Sequence, residues 1–467
     1  MSTRHRILVV TAGLNQTSGS SNSYQEALMD GLTARGHSLA SLSLAEIKSS
    51  PGLSWEKTSG QITRYQIFNG GLYPGRYGHG GVGTTNPQRD IAGTPGLADL
   101  VLEIIQRERP EVVHIQSFFG LPLELVARIR ALGAKTLYTA HDYFPLCATG
   151  HLFRPDASPC RLAIADMDCV SCCRQALPFR AFWFATLLER AAERNPPGRW
   201  LYRLRNLTTR AARRLNQSRT DNRPYVQRAQ AAAHALHAVD LVQAISSVQA
   251  VEFQRIAGPL ANLRILPVVS PGLVRRTPVE RPATPGRPLV VAALNINGIY
   301  KGAGLIRELA LRLQATGVRW ELHLYGPNRL DLDLPTVHQH GRYHVTDLDR
   351  IAAHADLCLM PSIWSETLGF VGLEMMARGT PLVVSRQSGA SEYVNSDVSG
   401  IIFDAAKPDD LFQRMARLID QPELVAELRT GLNRQLSAGA DGVRPIRTFS
   451  EHLTEMESLF SELAHRG

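Results

Sequence analysis

Two glutamates, Glu366 and Glu374, lie between two short apolar runs, and this stretch constrains the fold more than any other. Residues 357–360 and 381–384 each have the length and composition of a buried strand. A helical pattern follows Glu366, and Gly379 is placed to end that helix. The order strand, acidic loop, helix, strand predicts part of a parallel sheet that carries helices on its faces.

The start of this helix is predicted to bind an anion. Backbone N–H groups in the first turn of a helix have no intrahelical partner, so they are free to donate to a phosphate. Leu368, Gly369 and Phe370 carry the N–H groups that are expected to do so. Because carboxylates repel phosphate, Glu366 and Glu374 are expected to bind hydroxyl groups instead. Phosphate on the amides and hydroxyls on the acids together describe a site for a nucleotide sugar.

The Glu-x7-Glu spacing resembles that of retaining glycosyltransferases of family 4, the group 1 glycosyltransferases, which have the GT-B fold. Further segments are similar to that family in the same order, namely residues 301–302, 388–392 and 399–403. The resemblance implies an α/β chain of two Rossmann-like, doubly wound domains that face a cleft. It also implies a C-terminal helix that crosses back to the first domain.

The same resemblance implies roles for individual side chains. Glu374 would bind the ribose hydroxyls, and Glu366 would contact the transferred sugar. Lys301 would neutralise the negative charge that develops on the departing diphosphate. His141 follows the predicted strand 135–139, and ligands gather at the carboxyl ends of strands in such sheets. His141 is therefore assigned to orient a sugar hydroxyl and to stabilise developing charge.

Two positions depart from the family pattern. The family usually has an arginine about five residues before its lysine, where this chain has Ile296, and Arg342 is expected to replace it. Gly19 stands in the place of the first glycine of the family's Gly-Gly pair, and Ser20 replaces the second. Gly19 is still assigned to donor binding. Residues 340–343 are expected to follow a strand and to line the pocket of the nucleotide base.

Five prolines within residues 271–288 indicate an extended linker and the best domain boundary. The predicted domains are 1–280 on the acceptor side, 281–445 for the donor, and a crossover helix at 446–467. Apolar periodicity predicts strands at residues 7–10, 112–115, 135–139, 240–246, 265–269, 289–294, 320–325 and 357–360. It predicts helices at residues 24–35, 121–132, 303–316, 347–355, 408–419, 423–436 and 449–465.

The net charge of +9 is concentrated in a helical insertion near residues 174–235. Between residues 174 and 228 there are 13 arginines, no lysine and three acidic residues. An anionic membrane surface or a lipid-linked acceptor would suit this segment, and so would a pair of solvated helices. No stacking aromatic repeat accompanies the arginines, so we expect no nucleic acid partner. No apolar run reaches the length of a signal peptide or of a spanning helix, which predicts a cytoplasmic location or one on the cytoplasmic membrane face.

Five of the six cysteines fall within residues 147–173, and only Cys169 and Cys172 form a C-x2-C pair. A structural zinc site would need a second pair or matching histidines, so reduced thiols, a disulfide and a metal all stay open. A cytosolic location argues against the disulfide. No Asp-x-Asp pair lies at the end of a predicted strand in the donor domain. We therefore predict catalysis without a metal site or any other cofactor.

The resemblance implies a retaining hexosyltransferase, and the features above agree with that expectation. It would move a sugar from a nucleoside-diphosphate sugar to a glycan or lipid-linked acceptor, in the assembly of a surface polysaccharide. Two alternatives stay open. The departures at Ile296 and Ser20 suit a non-catalytic partner that keeps the fold. The fold also suits a hydrolase or an epimerase that acts on the nucleotide sugar without an acceptor.

Overall fold

The computed structural model describes residues 4–12, 20–50, 52–70, 86–174, 176–194, 199–216, 221–276, 287–296, 298–327, 330 and 332–465. Within them the strands form one sheet of eight strands and one of six. We refer to the first sheet with its helices as the first domain, and to the second sheet with its helices as the second domain.

The first sheet is parallel except at one edge. Its strands are β1 (Arg6–Thr11), β2 (Ser38–Glu46), β3 (Ser54–Thr58), β4 (Thr63–Phe68), β5 (Val112–Ile115), β6 (Lys135–Ala140), β7 (Leu241–Ala244) and β8 (Leu263–Ile265). They lie in the order β3-β4-β2-β1-β5-β6-β7-β8, and only β3 runs antiparallel to its neighbour. The carboxyl ends of β5 and β6 therefore lie side by side, close to the point where the strand order reverses.

The second sheet is parallel throughout. Its strands are β9 (Leu289–Leu294), β10 (Trp320–Tyr325), β11 (Val337–Gly341), β12 (Leu357–Met360), β13 (Leu382–Ser385) and β14 (Gly400–Phe403). Their order, β11-β10-β9-β12-β13-β14, is that of dinucleotide-binding folds, which bind ligands where the order reverses. That point lies between β9 and β12. All six residues of β9 are buried, as expected of a strand covered on both faces.

Helices cover both sheets. Those of the first domain are α1 (Ser20–Ala34), α2 (Pro87–Ala92), α3 (Leu97–Glu108), α4 (Leu125–Ala131), α5 (Cys169–Cys173), α6 (Phe179–Arg194), α7 (Arg199–Asn216), α8 (Arg223–Ala238) and α9 (Ser247–Ala257). Those that follow are α10 (Ala303–Thr316), α11 (Leu348–His354), α12 (Phe370–Met376), α13 (Pro408–Asp420), α14 (Pro422–Ala438) and α15 (Phe449–His465). None of the described helices combines the length and the apolar character that a membrane crossing requires.

The C-terminal helix α15 returns to the first domain, as predicted. His452 is fully buried in it, and its Nε2 lies 2.9 Å from the hydroxyl of Tyr24 on α1. The hydroxyl of Ser461 lies 2.9 Å from Nε2 of His5, just before β1. A buried apolar cluster joins α1, β1 and α15 to α12 and β13, so the helix links the cores of the two domains.

The predicted elements of the second domain agree with the structure to within a residue or two, but three predictions in the first domain were wrong in their bounds. The helix predicted at 24–35 begins four residues earlier, at Ser20. The strand predicted at 265–269 ends at Ile265, because Pro267 has no N–H to give to a ladder. The helix predicted from residue 121 begins only at Leu125, after a turn in which Gly120 has φ +87°. Most of the predicted linker, residues 277–286, lies outside the described residues, and the domain boundaries stay predictions.

Candidate functional site

Glu366 lies in the loop between β12 and α12, and hydrogen bonds hold both its backbone and its carboxylate in position. Its N–H donates to the carbonyl of Gln387 at 2.8 Å, and its carbonyl accepts from the N–H of Gly389 at 2.9 Å. One carboxylate oxygen pairs with Nζ of Lys301, and the other accepts from the hydroxyl of Ser362. The residue is only 5% exposed. The structure therefore brings together two predicted site residues, Lys301 and Glu366, at the point where the strand order reverses.

Lys301 is held by a close approach of two loops. It ends a short 3-10 turn, and its ammonium lies 5.6 Å from the ring centroid of Trp364. The next residue, Gly302, has φ +81°. A Cβ atom there would come within 1.9 Å of the carbonyl oxygen of Pro361. The residue after Lys301 must therefore be a glycine, because only glycine lets the turn that carries Lys301 pack against the end of β12.

We predict that Gly302→Ala destabilises the protein by about 3 kcal/mol or more, since it combines left-handed strain with a backbone clash. Gly304 is the matched control, because it lies within α10 and a Cβ atom there would meet nothing within 4 Å. Gly304→Ala is expected to stabilise by about 0.5–1 kcal/mol through helix propensity. Urea unfolding measures both. Equal effects of the two substitutions would contradict the close approach.

The first turn of α12 offers backbone donors beside Glu366. Gly369 precedes the helix with φ +90°, and its Cβ would lie 2.7 Å from the methyl carbon of Met360. In the described part of the chain, the N–H groups of Leu368, Gly369 and Phe370 donate no hydrogen bond. These are the three amides predicted to bind phosphate. Free N–H groups at a helix start, with an ammonium in the same loop cluster, suit an anion.

Glu374 lies on α12 and is 6% exposed. Its carboxylate accepts a hydrogen bond of 2.5 Å from the hydroxyl of Ser270, in the segment that follows β8. A Cβ atom on Gly272 would lie 3.1 Å from the same carboxylate. Burial raises the pKa of Glu374 above its ordinary value. Burial also raises the pKa of Tyr343, and the charge of Glu374 adds to that effect.

His141 follows β6 and presents one nitrogen that has no partner. Its Nε2 lies against the side-chain oxygen of Gln116, whose amide nitrogen lies 3.0 Å from His114. This network assigns the proton of His141 to Nε2 and leaves Nδ1 as an acceptor. That Nδ1 is buried and makes no hydrogen bond to any described residue. Burial lowers the pKa of His141 to about 4, so the imidazole is neutral near pH 7.

Direct contacts bring His141 and the Glu366 loop together across the cleft. The hydroxyl of Thr367 donates to the carbonyl of His141 at 3.2 Å. The hydroxyl of Tyr143, two residues beyond His141, donates to the carbonyl of Ser365 at 2.8 Å. These contacts connect the carboxyl end of β6 in the first domain with the loop after β12 in the second. No motif predicted Tyr143 or Ser365, because hydrogen bonds between distant segments leave no local pattern.

Other predicted site residues are placed less centrally. Arg342 is exposed, and it forms no ion pair with the described residues. Ile296, at the position of the family's arginine, is 4% exposed and packs in the core of the second domain. His340 lies within β11 rather than after it, because the strand continues to Gly341. Gly19 lies outside the described residues.

Residues 287–421 match the protein family described as "Glycosyl transferases group 1". This chain contains a group 1 glycosyltransferase domain. The D-inositol 3-phosphate glycosyltransferase of Thermobispora bispora is 30% identical to it over 175 residues. That match covers 37% of this chain and 37% of the length of the relative.

Solved structures extend the likeness to both domains at the level of the fold. Sucrose-phosphate synthase from Thermosynechococcus elongatus superposes with a TM-score of 0.61 at 14% identity, covering 98% of this chain and 99% of that one. HepE of Anabaena, in complex with UDP and glucose, superposes with a TM-score of 0.55 at 14% identity, covering 97% and 100%. The GT-B fold predicted from the sequence is confirmed.

Glu392, from the segment that resembles the family's Gly-Gly-x-x-Glu turn, joins the group 1 domain to the first domain. Its carboxylate accepts from the N–H groups of Ser247 at 2.6 Å and Val248 at 3.3 Å, at the start of α9. It also pairs with Arg444. A carboxylate at a helix N-terminus is stabilising, so this glutamate acts as an interdomain cap.

One compact group of side chains in the group 1 domain could hold a metal ion. Glu321, His323 and His354 place their ligand atoms within 4.8 Å of one another, and they are the one such group among the described residues. Nδ1 of His323 lies 2.9 Å from Nε2 of His340. The group lies where β10 pairs with β11 at the edge of the sheet. The sequence patterns predicted no metal site, because these ligands come from a strand and a helix end that no motif links.

Proposed function

We propose that the protein is a retaining glycosyltransferase that moves a hexose from a nucleoside-diphosphate sugar to a glycan or lipid-linked acceptor. The observation that carries this proposal is the pairing of Lys301 with Glu366, next to the free amides of α12 and to the unpartnered Nδ1 of His141. Surface polysaccharide assembly is the process that such an acceptor would serve.

The negative charge of a nucleoside-diphosphate donor suits the cation and the N–H donors of this site. When the diphosphate leaves, negative charge grows on its oxygen, and preorganised cations and N–H donors stabilise that charge. Lys301 and the amides of Leu368, Gly369 and Phe370 supply these groups without a metal ion. Glu366, released from Lys301 by the phosphate, would accept from a hydroxyl of the sugar. Glu374 would accept from the ribose hydroxyls, as Ser270 now donates to it.

Retention follows if the acceptor attacks the face that the diphosphate leaves. The bond from the anomeric carbon to the phosphate oxygen breaks, and the bond to the acceptor oxygen forms on the same face. The proton of the acceptor hydroxyl passes to the departing phosphate oxygen. His141 would accept a hydrogen bond from the sugar through Nδ1, which holds the ring in place during the transfer.

The test is the stereochemistry of the product. UDP-glucose is the first donor to try, because HepE of Anabaena is solved with UDP and glucose. Proton NMR of the glycoside formed from an α-linked donor should show an α-linkage. A β-linked product would overturn retention. Full consumption of donor without any acceptor would favour the hydrolase, and no consumption of any nucleotide sugar would favour the non-catalytic partner.

We further propose that the exposed face of α7 binds an anionic membrane surface. Trp200, Arg203, Leu207 and Arg210 recur at helical spacing, and all four are exposed. Trp200 and Leu207 are each 63% exposed, and their spacing of seven residues places them on one face of the helix, where a lipid surface could cover them. Arginines beside an aromatic and a leucine are typical of a helix that lies in the interface.

One part of the basic segment does not belong to this surface. Arg228 is 1% exposed and pairs with Asp90, while its guanidinium donates to the carbonyl of Phe144 at 2.7 Å. It therefore stabilises the interior of the first domain, and the membrane surface predicted for residues 174–228 ends before it. The expectation from charge alone was wrong at this residue, because a count of arginines does not distinguish buried from exposed ones.

Replacing Arg203 and Arg210 by glutamine should weaken binding to vesicles that contain phosphatidylserine by about 30-fold, from about 1 kcal/mol for each arginine. Co-sedimentation measures this. The matched control replaces Arg107 and Arg128, exposed arginines on α3 and α4, by glutamine. Equal loss in both pairs would indicate general charge attraction and would contradict a specific face.

A further inference from the structure

The segment between β6 and α6 is long and has little regular structure. From residue 141 to residue 178 the described chain contains only a 3-10 turn, Ile164–Asp166, and the five-residue helix α5. A loop of this length inside a compact domain is uncommon unless something organises it. Five of the six cysteines of the protein lie in this segment.

All five cysteines line one small cavity. Its volume is about 20 Å³, which is the space that one water-sized atom needs. The residues that line it include apolar side chains and five cysteines, namely Cys147, Cys160, Cys169, Cys172 and Cys173. None of the five is in a disulfide bond. A cavity of one atom's volume that gathers five thiols is suited to a soft metal ion.

Three local structures present these thiols. Cys160 ends a hairpin in which Phe153 bridges to Pro159, and its N–H donates to Leu152 at 2.7 Å. Cys169 and Cys172 lie three residues apart on α5, so they project from one side of its first turn. The N–H of Cys147 closes a turn on the carbonyl of Tyr143 at 2.8 Å.

Cys173 differs from the other four cysteines of the cavity in its burial. It is only 3% exposed and belongs to a buried apolar cluster with Ala148, Val170 and Tyr225, against which the partly exposed Cys169 and Cys172 also pack. The other four thiols are partly exposed. A divalent cation in the cavity would bind these cysteines as thiolates, because a coordinating thiol is deprotonated outright.

We propose that Cys147, Cys160, Cys169 and Cys172 bind one Zn²⁺ ion as a structural site. The ion replaces four thiol protons, which pass to solvent, and no redox step is involved. No three of these sulfur atoms all lie within 4.8 Å of one another, because the one group of potential ligands that meets this limit among the described residues is Glu321, His323 and His354. Zinc binding would therefore draw the four side chains inward.

The proposed ion would also shape the site around Lys301. His151, between the first two ligands, lies 4.9 Å from the ring of Tyr300 and 5.2 Å from that of Trp364. Phe153 lies 6.3 Å from Tyr300. These rings line the lysine turn, so a zinc-bound segment would hold one wall of the cleft. The proposal does not depend on the proposed function, because metal content is measured without activity.

The test is metal analysis of the full-length protein, expressed with zinc and freed of loosely bound ions. We expect about one zinc ion per chain in the wild type. Cys169→Ser and Cys172→Ser should each lower the content at least tenfold. Cys173→Ser and Cys358→Ser are the matched controls, one in the apolar cluster and one in β12, and both should keep the ion. His323→Ala should keep it as well.

Because the serine variants could fail to fold, cobalt substitution of the wild type gives an independent measurement. Four thiolates around Co²⁺ produce intense sulfur-to-metal charge-transfer absorption, whereas a site of histidine and glutamate does not. Absence of both zinc and this absorption would overturn the proposal. So would zinc that is lost in His323→Ala and kept in Cys169→Ser, and so would a disulfide found among the four cysteines by alkylation and mass spectrometry.

Discussion

Glu366→Gln is expected to lower the turnover number by about 10³-fold, which corresponds to about 4 kcal/mol of transition-state stabilisation. The substitution keeps the shape of the side chain and removes its charge. In the proposed mechanism, Glu366 holds a hydroxyl of the transferred sugar while Lys301 stabilises the diphosphate. A neutral amide holds the hydroxyl less well, and it cannot anchor the ammonium before the donor binds. Steady-state kinetics with the donor that binds best measures the effect.

The same substitution should cost stability, and a double variant separates the two effects. Lys301 is 25% exposed, so its ammonium loses an ion pair while part of its hydration remains, at a cost of about 1–3 kcal/mol. Combining Lys301→Met with Glu366→Gln removes the unpaired charge and should restore most of that stability. Turnover should not recover. Wild-type turnover in Glu366→Gln, or recovery in the double variant, would contradict the assigned roles.

The second large effect is expected at His141. His141→Gln keeps a polar atom near the position of Nε2, where it can still meet Gln116, but it leaves nothing near Nδ1. His141→Asn does the reverse. If the unpartnered Nδ1 is the atom that binds the sugar, the glutamine variant should lose about 10²–10³-fold in turnover, which is typical of one lost active-site hydrogen bond. The asparagine variant should lose less.

Kinetics at several pH values completes this comparison. Burial lowers the pKa of His141 to about 4, below its unfolded value, so the imidazole stays neutral from neutral pH down to mildly acidic pH. Protonation of His141 therefore should not reduce turnover until the pH approaches 4. A loss of turnover near pH 6.5 that disappears in His141→Asn would contradict a neutral acceptor. Equal losses in the asparagine and glutamine variants would argue for a purely structural histidine.

The second domain was the easier one to predict from the sequence. Its central strands, such as residues 289–294 and 357–360, are fully buried and consist of continuous apolar runs. Helix α10 begins after Gly302 and ends before Gly317, and both glycines have positive φ. Each of these signals is local. The two-glutamate motif is local as well, so Lys301 and Glu366 could be assigned to one site before their contact was seen.

The remaining features of the fold and of the candidate site depend on contacts between segments that are distant in the sequence. Strands β2, β3 and β4 were not predicted, since β3 is largely exposed and carries no apolar run. Ser270 meets Glu374 from 104 positions away, and Tyr143 meets Ser365 from 222. Such partners come together only in the folded chain, and the spacing of residues along the sequence does not reveal them. Spacing along the sequence does not reveal the cysteine cavity either, because its four proposed ligands come from a turn, a hairpin and a helix.

The most direct test of the proposed function is a thermal-shift panel with UDP, GDP, ADP, CDP and dTDP, run on the wild type and on Glu374→Ala. Glu374→Ala removes the carboxylate proposed for the ribose and leaves Lys301 and the amides of α12 unchanged. We expect one nucleotide, UDP first among them, to raise the unfolding temperature of the wild type by an amount that grows with its concentration. The same nucleotide should leave Glu374→Ala unshifted. No shift of the wild type with any of the five would contradict a nucleotide-sugar site.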